Sequence, residues 1–124
     1  MKVCVSSTGK DFNASVDQRF GRCQYFLIID TETMKLKTLL NDAVLSSGGA
    51  GVQAAQLVTK ENVDSVITGN IGPNAFQILQ TAAIKVFTGA EGTVYDTIER
   101  YKKGELQETR SANVESHAGI GGRN

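Results

Sequence analysis

Gly69-Asn70-Ile71-Gly72-Pro73-Asn74 lies between the apolar run Val66-Ile67 and an amphipathic segment beginning at Ala75. The stretch reads as the end of a buried strand, a glycine turn and a helix start, with Pro73 in the first turn, where a missing N–H costs nothing. A helix beginning there turns unpaired backbone N–H groups and a positive dipole end toward whatever lies in front of it. If other loops converge on the same point, the result is a binding site for an anion.

Downstream, Ile71 to Thr81 reads as a helix with Ala75, Leu79, Ala82 and Ala83 as its buried stripe, and Ile84 to Phe87 as a strand. With the strand Val63 to Thr68 these form a βαβ unit, whose crossover should be right-handed and whose strands should be parallel neighbours. Thr88-Gly89-Ala90-Glu91-Gly92 then turns into a third helix, Thr93 to about Lys103, burying Val94, Ile98 and Tyr101. Upstream, Ser46-Ser47-Gly48-Gly49-Ala50-Gly51 leads into a helix that carries Ala54, Leu57 and Val58 on one face and ends near Asn62. Ser46 or Ser47 can cap it.

The N-terminal part reads as strands. Lys2 to Ser6, β-branched at Val3 and Val5, opens into a long loop reaching about Phe20; such loops tend to carry function. Gln24 to Asp30 is nearly continuous apolar and aromatic, and Met34 to Leu40 sets Met34, Leu36 and Leu40 against Lys35 and Lys37. Asp30-Thr31-Glu32-Thr33 supplies the turn of a hairpin between them.

The 124 residues suit one domain with an ordinary core. Apolar residues make up 40% and charged residues 21%, with 13 Lys+Arg against 13 Asp+Glu, so no electrostatic case exists for a nucleic-acid partner. Met1-Lys2-Val3-Cys4-Val5 enters a strand directly and no apolar run is long enough to span a bilayer, so a cytoplasmic protein without a membrane role is expected. From Gly104 the chain turns polar and glycine-containing. Residues 1–103 are therefore expected to form the domain and 104–124 a flexible tail.

The order β, β-hairpin, α, β, α, β, α predicts an α/β fold: a five-stranded mixed sheet of order 3-2-1-4-5, strand 2 antiparallel, between helical layers. Four strands then end at one rim, where strand 2 begins, and three helix starts near Gly51, Gly72 and Gly92 point to it. Ligands of open α/β sheets sit outside the carboxyl ends of the strands, where strand order reverses. Here that is between strands 1 and 4, bracketed by Ser7, Arg19-Phe20-Gly21-Arg22, Gly48 to Gly51, and Gly69 to Asn74.

Ser7, Arg22, Gly48, Gly49, Gly51, Asn70, Gly72 and Asn74 are the candidate ligand-binding residues. A guanidinium suits a carboxylate, a phosphate or a charged cluster. Asn70 and Asn74 could instead cap the second helix. No turn matches GxxxxGK[ST] or GxGxxG, so nucleotide binding has no motif behind it. The two cysteines, Cys4 and Cys23, lie 19 positions apart, which fits neither a disulfide framework nor a zinc site. Cys4 belongs to the core; Cys23 and His117, the sole histidine, are the only candidates for a labile metal ligand, against the plainer alternatives of a buried thiol and an exposed imidazole. A permanent iron–sulfur cluster usually needs four protein ligands, so any cluster would be held loosely. With no Ser/His/Asp set and no carboxylate on the first strand, no enzyme is expected.

Three motifs together resemble the dinitrogenase iron–molybdenum cofactor biosynthesis family, the nitrogenase accessory factors. They are Arg19-Phe20-Gly21-Arg22 with Tyr25-Phe26-Leu27-Ile28-Ile29-Asp30; Gly49-Ala50-Gly51-Val52-Gln53-Ala54-Ala55; and Val66-Ile67-Thr68-Gly69-Asn70-Ile71-Gly72-Pro73-Asn74-Ala75-Phe76 with Ile84-Lys85-Val86-Phe87. The resemblance covers about residues 1 to 103. It implies a three-layer α/β/α sandwich of ribonuclease-H-like type and a non-enzymatic carrier of an iron–sulfur or iron–molybdenum cluster precursor, with a protein partner in cluster transfer. Many family members end in a histidine- and glycine-rich tail, whereas this chain has only Ser116-His117-Ala118-Gly119. The alternatives are a module for a phosphate-bearing small molecule, or a protein-interaction domain unrelated to nitrogenase.

Overall fold

A computed structural model describes residues 1–45 and 48–112. Its strands are β1 (Lys2–Ser7), β2 (Tyr25–Asp30), β3 (Leu36–Leu40), β4 (Ser65–Ile67) and β5 (Lys85–Phe87). The helices are α1 (Ala50–Thr59), α2 (Pro73–Thr81) and α3 (Val94–Lys102), with a 3-10 turn over Asp42–Leu45. The strands form one mixed sheet in the order β3-β2-β1-β4-β5. β2 runs antiparallel to β1 and β3, and β1, β4 and β5 are parallel, as the crossover rule requires.

The central strands carry consecutive buried residues, mostly apolar, because both of their faces are covered. Cys4, Phe26, Ile28, Val66 and Val86 pack with Ala54, Ala55 and Val58 of α1 and with Ala75, Phe76 and Leu79 of α2. The intervening residues Val3, Val5, Leu27, Ile29 and Ile67 pack with Val94 and Ile98 of α3. Helices thus lie on both faces of the sheet, and the apolar alternation along each strand assigns every side chain to one layer.

Several local expectations change. Met34 sits at φ 60 within the hairpin turn, where its N–H bonds the Asp30 carbonyl at 2.7 Å, so β3 begins only at Leu36. Leu40 is 55% exposed whereas Met34 and Leu36 are half-buried against the α3 layer, and Leu39 packs against the opposite layer. Ala82 and Ala83 are exposed and follow the end of α2; Ala83 at φ 61 is left-handed, and Phe76 takes the expected place in the buried stripe. The N-cap of α1 is Gly49, while Ser46 and Ser47 lie outside the described residues.

The first residues after Gly104 are tied down, contrary to a free tail beginning there. Glu108 bridges Phe87, and the Thr109 N–H donates to the Val86 carbonyl at 2.7 Å. The Thr109 hydroxyl meets that of Thr88 at 2.6 Å, so this segment covers the open edge of β5. Residues 113–124, including His117, lie outside the described residues.

Candidate functional site

At the rim where β1, β4 and β5 end, a cleft of about 580 Å³ opens. Three chain segments build it: Arg19 to Arg22, Gly49 to Val52 and Asn70 to Ala75. The first arises in the long loop after β1, which is held by backbone pairing rather than by periodic structure. Asn70 receives it: its N–H donates to the Gln18 carbonyl at 2.8 Å, its side-chain amide does so at 3.2 Å, and its carbonyl accepts the Phe20 N–H at 3.3 Å. Below, the buried Ser6 hydroxyl donates to the Asp17 carbonyl at 2.7 Å and meets the Thr68 hydroxyl at 2.7 Å. Gly69 allows this crossing, because a Cβ there would come within 2.6 Å of Gln18 Cα. The loop is stitched across the ends of three strands.

The second and third segments are helix starts. Gly49 (φ 70) and Gly72 are the N-caps of α1 and α2, and neither helix has a side-chain cap or an acidic residue in its first turn. The first intrahelical bonds run from Gln53 to Gly49 and from Phe76 to Gly72, each at 3.0 Å. The N–H groups of Ala50, Gly51, Val52, Asn74 and Ala75 therefore precede the helical ladders, and all five residues line the cleft. Pro73 at the first position of α2 removes one donor that would otherwise need a partner. Asn70 and Asn74 leave the capping position to Gly72, which frees the Asn74 side chain from the expected capping role.

Among the described residues, two guanidiniums and no carboxylate complete the lining. Asp17 is buried behind the wall, accepting from the Arg19 N–H at 2.9 Å and Nε at 3.4 Å, which fixes the root of the Arg19 side chain. Of the expected ligand-binding residues, Arg22, Gly49, Gly51, Asn70, Gly72 and Asn74 come together here, whereas Ser7 and Gly48 are not among the lining residues. Ser7 is buried, and its hydroxyl closes a local turn with Gly9 by donating to its carbonyl at 2.8 Å and accepting its N–H at 3.1 Å. The third expected helix start does not contribute, because Ala14, Phe12 and Thr93 occupy the first-turn N–H groups of α3.

Cys23 is withdrawn from the cleft as a metal ligand. It is fully buried, its Sγ lies 3.4 Å from the Phe20 carbonyl, and burial, with the Asp17 carboxylate adding to it, pushes the thiol up to about 12. Burial likewise raises the Cys4 thiol well above its ordinary range. Among the described residues no three His, Cys, Asp or Glu side chains gather to hold a metal ion. The donor set suits an anion that brings its own ligands, met by N–H groups and guanidiniums rather than by protein-to-metal bonds. Among the described residues no helix is long and apolar enough to cross a membrane.

Arg19, Gly21 and Pro73, which lie in the bracketing loops but are not among the candidate ligand-binding residues, also line the cleft. For Gly21 the signal was available, since a glycine between the bulky Phe20 and Arg22 marks a close backbone approach. A Cβ on Gly21 would stand 2.8 Å from both Cα and N of Gly51, so the loop touches the start of α1 backbone to backbone.

Known proteins share this architecture. The apo form of the orange protein from Desulfovibrio gigas is 36% identical, with a TM-score of 0.88 over 90% of this chain and 95% of that one. A NifB-like protein from Thermotoga, assigned to the DUF35 family, is 34% identical with a TM-score of 0.75 over 86% and 91% of the two chains. An uncharacterized protein of Methanocaldococcus jannaschii is 28% identical over 98 residues, 77% of this chain and 83% of that protein. The model of the dinitrogenase iron-molybdenum cofactor family matches residues 1–104, and the chain belongs to that family.

Proposed function

We propose that this protein is a non-enzymatic carrier that holds an iron–sulfur or iron–molybdenum cluster precursor in the rim cleft as cargo. The observation that carries this reading is the lining itself: among the described residues, two helix starts without a side-chain cap and two guanidiniums converge where no carboxylate, thiol or imidazole lines the wall. Such a site binds an anion by charge and hydrogen bonds and releases it without breaking a protein-to-metal bond. Family membership supports a cofactor-related cargo, and the similarity to a protein described in its apo form supports a ligand-carrying domain. Transfer to a protein partner follows as the second half of a carrier's work. The ribonuclease-H-like classification belongs to the same proposal, supported by the strand order with β2 antiparallel.

Anaerobic reconstitution with iron and sulfide, or with an extracted cofactor precursor, tests the reading through visible absorption and EPR. A protein-bound chromophore is expected; its absence under both conditions overturns the proposal. A phosphate-bearing small molecule is the second reading, favoured by the same row of backbone N–H donors. Thermal stabilisation by nucleotides, without any chromophore on reconstitution, would select it.

A further inference from the structure

Asn41 directly follows β3 and is fully buried. Its side-chain amide is spent on backbone. Nδ2 donates to the Gly21 carbonyl at 3.2 Å and the Cys23 carbonyl at 2.8 Å, and Oδ1 accepts the Ala43 N–H at 3.1 Å. Its own N–H extends the β2–β3 ladder by donating to the Gln24 carbonyl at 3.0 Å. A primary amide offers two donors and one acceptor group, and all are engaged. A buried polar network satisfied in this way specifies one local arrangement.

The arrangement specified is the wall of the cleft. The Gly21 carbonyl held by Asn41 belongs to the residue that packs against Gly51 with no room for a Cβ. Gly51 lies in the first turn of α1, and Arg22 follows Gly21 in the chain. The bond to Gly21 thus fixes how far the guanidinium-bearing loop stands from the N–H groups of α1. Through Ala43 the same amide anchors the 3-10 turn that precedes α1.

We infer that Asn41 is a positioning residue of the anion cleft: from below the wall, it sets the Gly21–Gly51 contact through which Arg22 and the start of α1 face one ligand. This inference rests on the cleft binding an anion as proposed above. Asn41 is absent from the cleft lining, so its effect on binding is indirect.

The experiment uses molybdate as a simple dianion, equilibrium dialysis for affinity, and the NOE between the Gly21 and Gly51 Hα protons for the contact. Asn41→Ser removes the reach to the two carbonyls. Ser65→Ala is the control, since it deletes a buried hydroxyl that meets the Tyr101 hydroxyl at 3.0 Å on the α3 side of the sheet. The folded Asn41→Ser protein is expected to bind molybdate about ten-fold or more weakly and to lose the NOE, while Ser65→Ala keeps both. Unchanged affinity or a retained NOE in Asn41→Ser overturns the inference. Should Asn41→Ser not fold, Gly21→Ala carries the test by forcing the same contact apart; about ten-fold weaker binding supports the inference and unchanged binding overturns it. Wild-type protein that takes up no molybdate overturns the anion-site reading and this inference with it, whereas normal wild-type binding with an indifferent Asn41→Ser overturns this inference alone.

Discussion

α3 and the pair α1/α2 begin at the same rim, each after the carboxyl end of a strand or the turn that leads away from it, yet their N-termini are finished in opposite ways. The start of α3 is completed by the chain: Thr93 Oγ1 accepts the Asp96 N–H at 3.1 Å, and the Val94 and Tyr95 N–H groups donate to Ala14 and Phe12. Asp96 in the first turn and Arg100 and Lys102 in the last complement its dipole. The starts of α1 and α2 have glycine N-caps, no side-chain cap and no acidic residue in the first turn. One helix start is therefore closed by the chain, and two lack a side-chain cap among the described residues and lie beside guanidiniums. The lesson is that a glycine turn becomes a candidate site only when the rest of the chain leaves its donors to something else.

Substitutions can break that contrast, and the largest effect is expected at Gly21. Gly21→Val drives a side chain into the backbone of Gly51 and should cost about 1–3 kcal/mol in chemical denaturation while abolishing cargo retention. Gly72→Asp supplies α2 with the carboxylate cap that it lacks. Binding should weaken by about ten- to hundred-fold in an anion titration with the melting temperature held or raised, the reverse of an ordinary damaging mutation. Arg22→Gln should weaken binding by about ten-fold and flatten its dependence on salt.

Cys23 should behave as part of the closed interior rather than of the open cleft. Its thiol has an ordinary value of 9.0 and sits at about 12 in the fold. Above pH 9 the unfolded chain therefore sheds this proton while the folded protein keeps it. Stability is fully present below about pH 9 and falls between about 9 and about 12, by at most ~1.4 kcal/mol per pH unit, which denaturation at stepped pH would record. The smallest effect belongs to the closed helix start. Thr93→Ala should lower stability by about 1 kcal/mol in thermal unfolding and leave anion binding untouched.

Much of this contrast was written in the sequence. The run Val63 to Phe87 has strand, glycine turn, Pro73 and amphipathic helix in series, and local chemistry of that kind determines the crossover and its neighbours. The two motifs around Gly51 and Gly72 were legible for the same reason. What could not be read was pairing at a distance. Ser7 looks like a rim residue by its position, but its hydroxyl is used within its own turn with Gly9. The long loop has no periodicity, so nothing local tells that Ala14 and Phe12 close the start of α3 or that Gln18 crosses Gly69. Asn41 has the same history: its partners at Gly21 and Cys23 lie 20 and 18 positions away, and an asparagine after a strand gives no sign of burial. Thr109, too, meets its partners only across the sheet edge.

The central claim is that cargo is held by helix starts and guanidiniums and not by protein thiolates. Anaerobic reconstitution of the wild-type protein beside a Cys4→Ser, Cys23→Ser double variant tests it most directly, read as the chromophore retained through gel filtration. Equal retention by the two proteins is predicted. A colourless wild type, or a chromophore that vanishes with the cysteines, would contradict it.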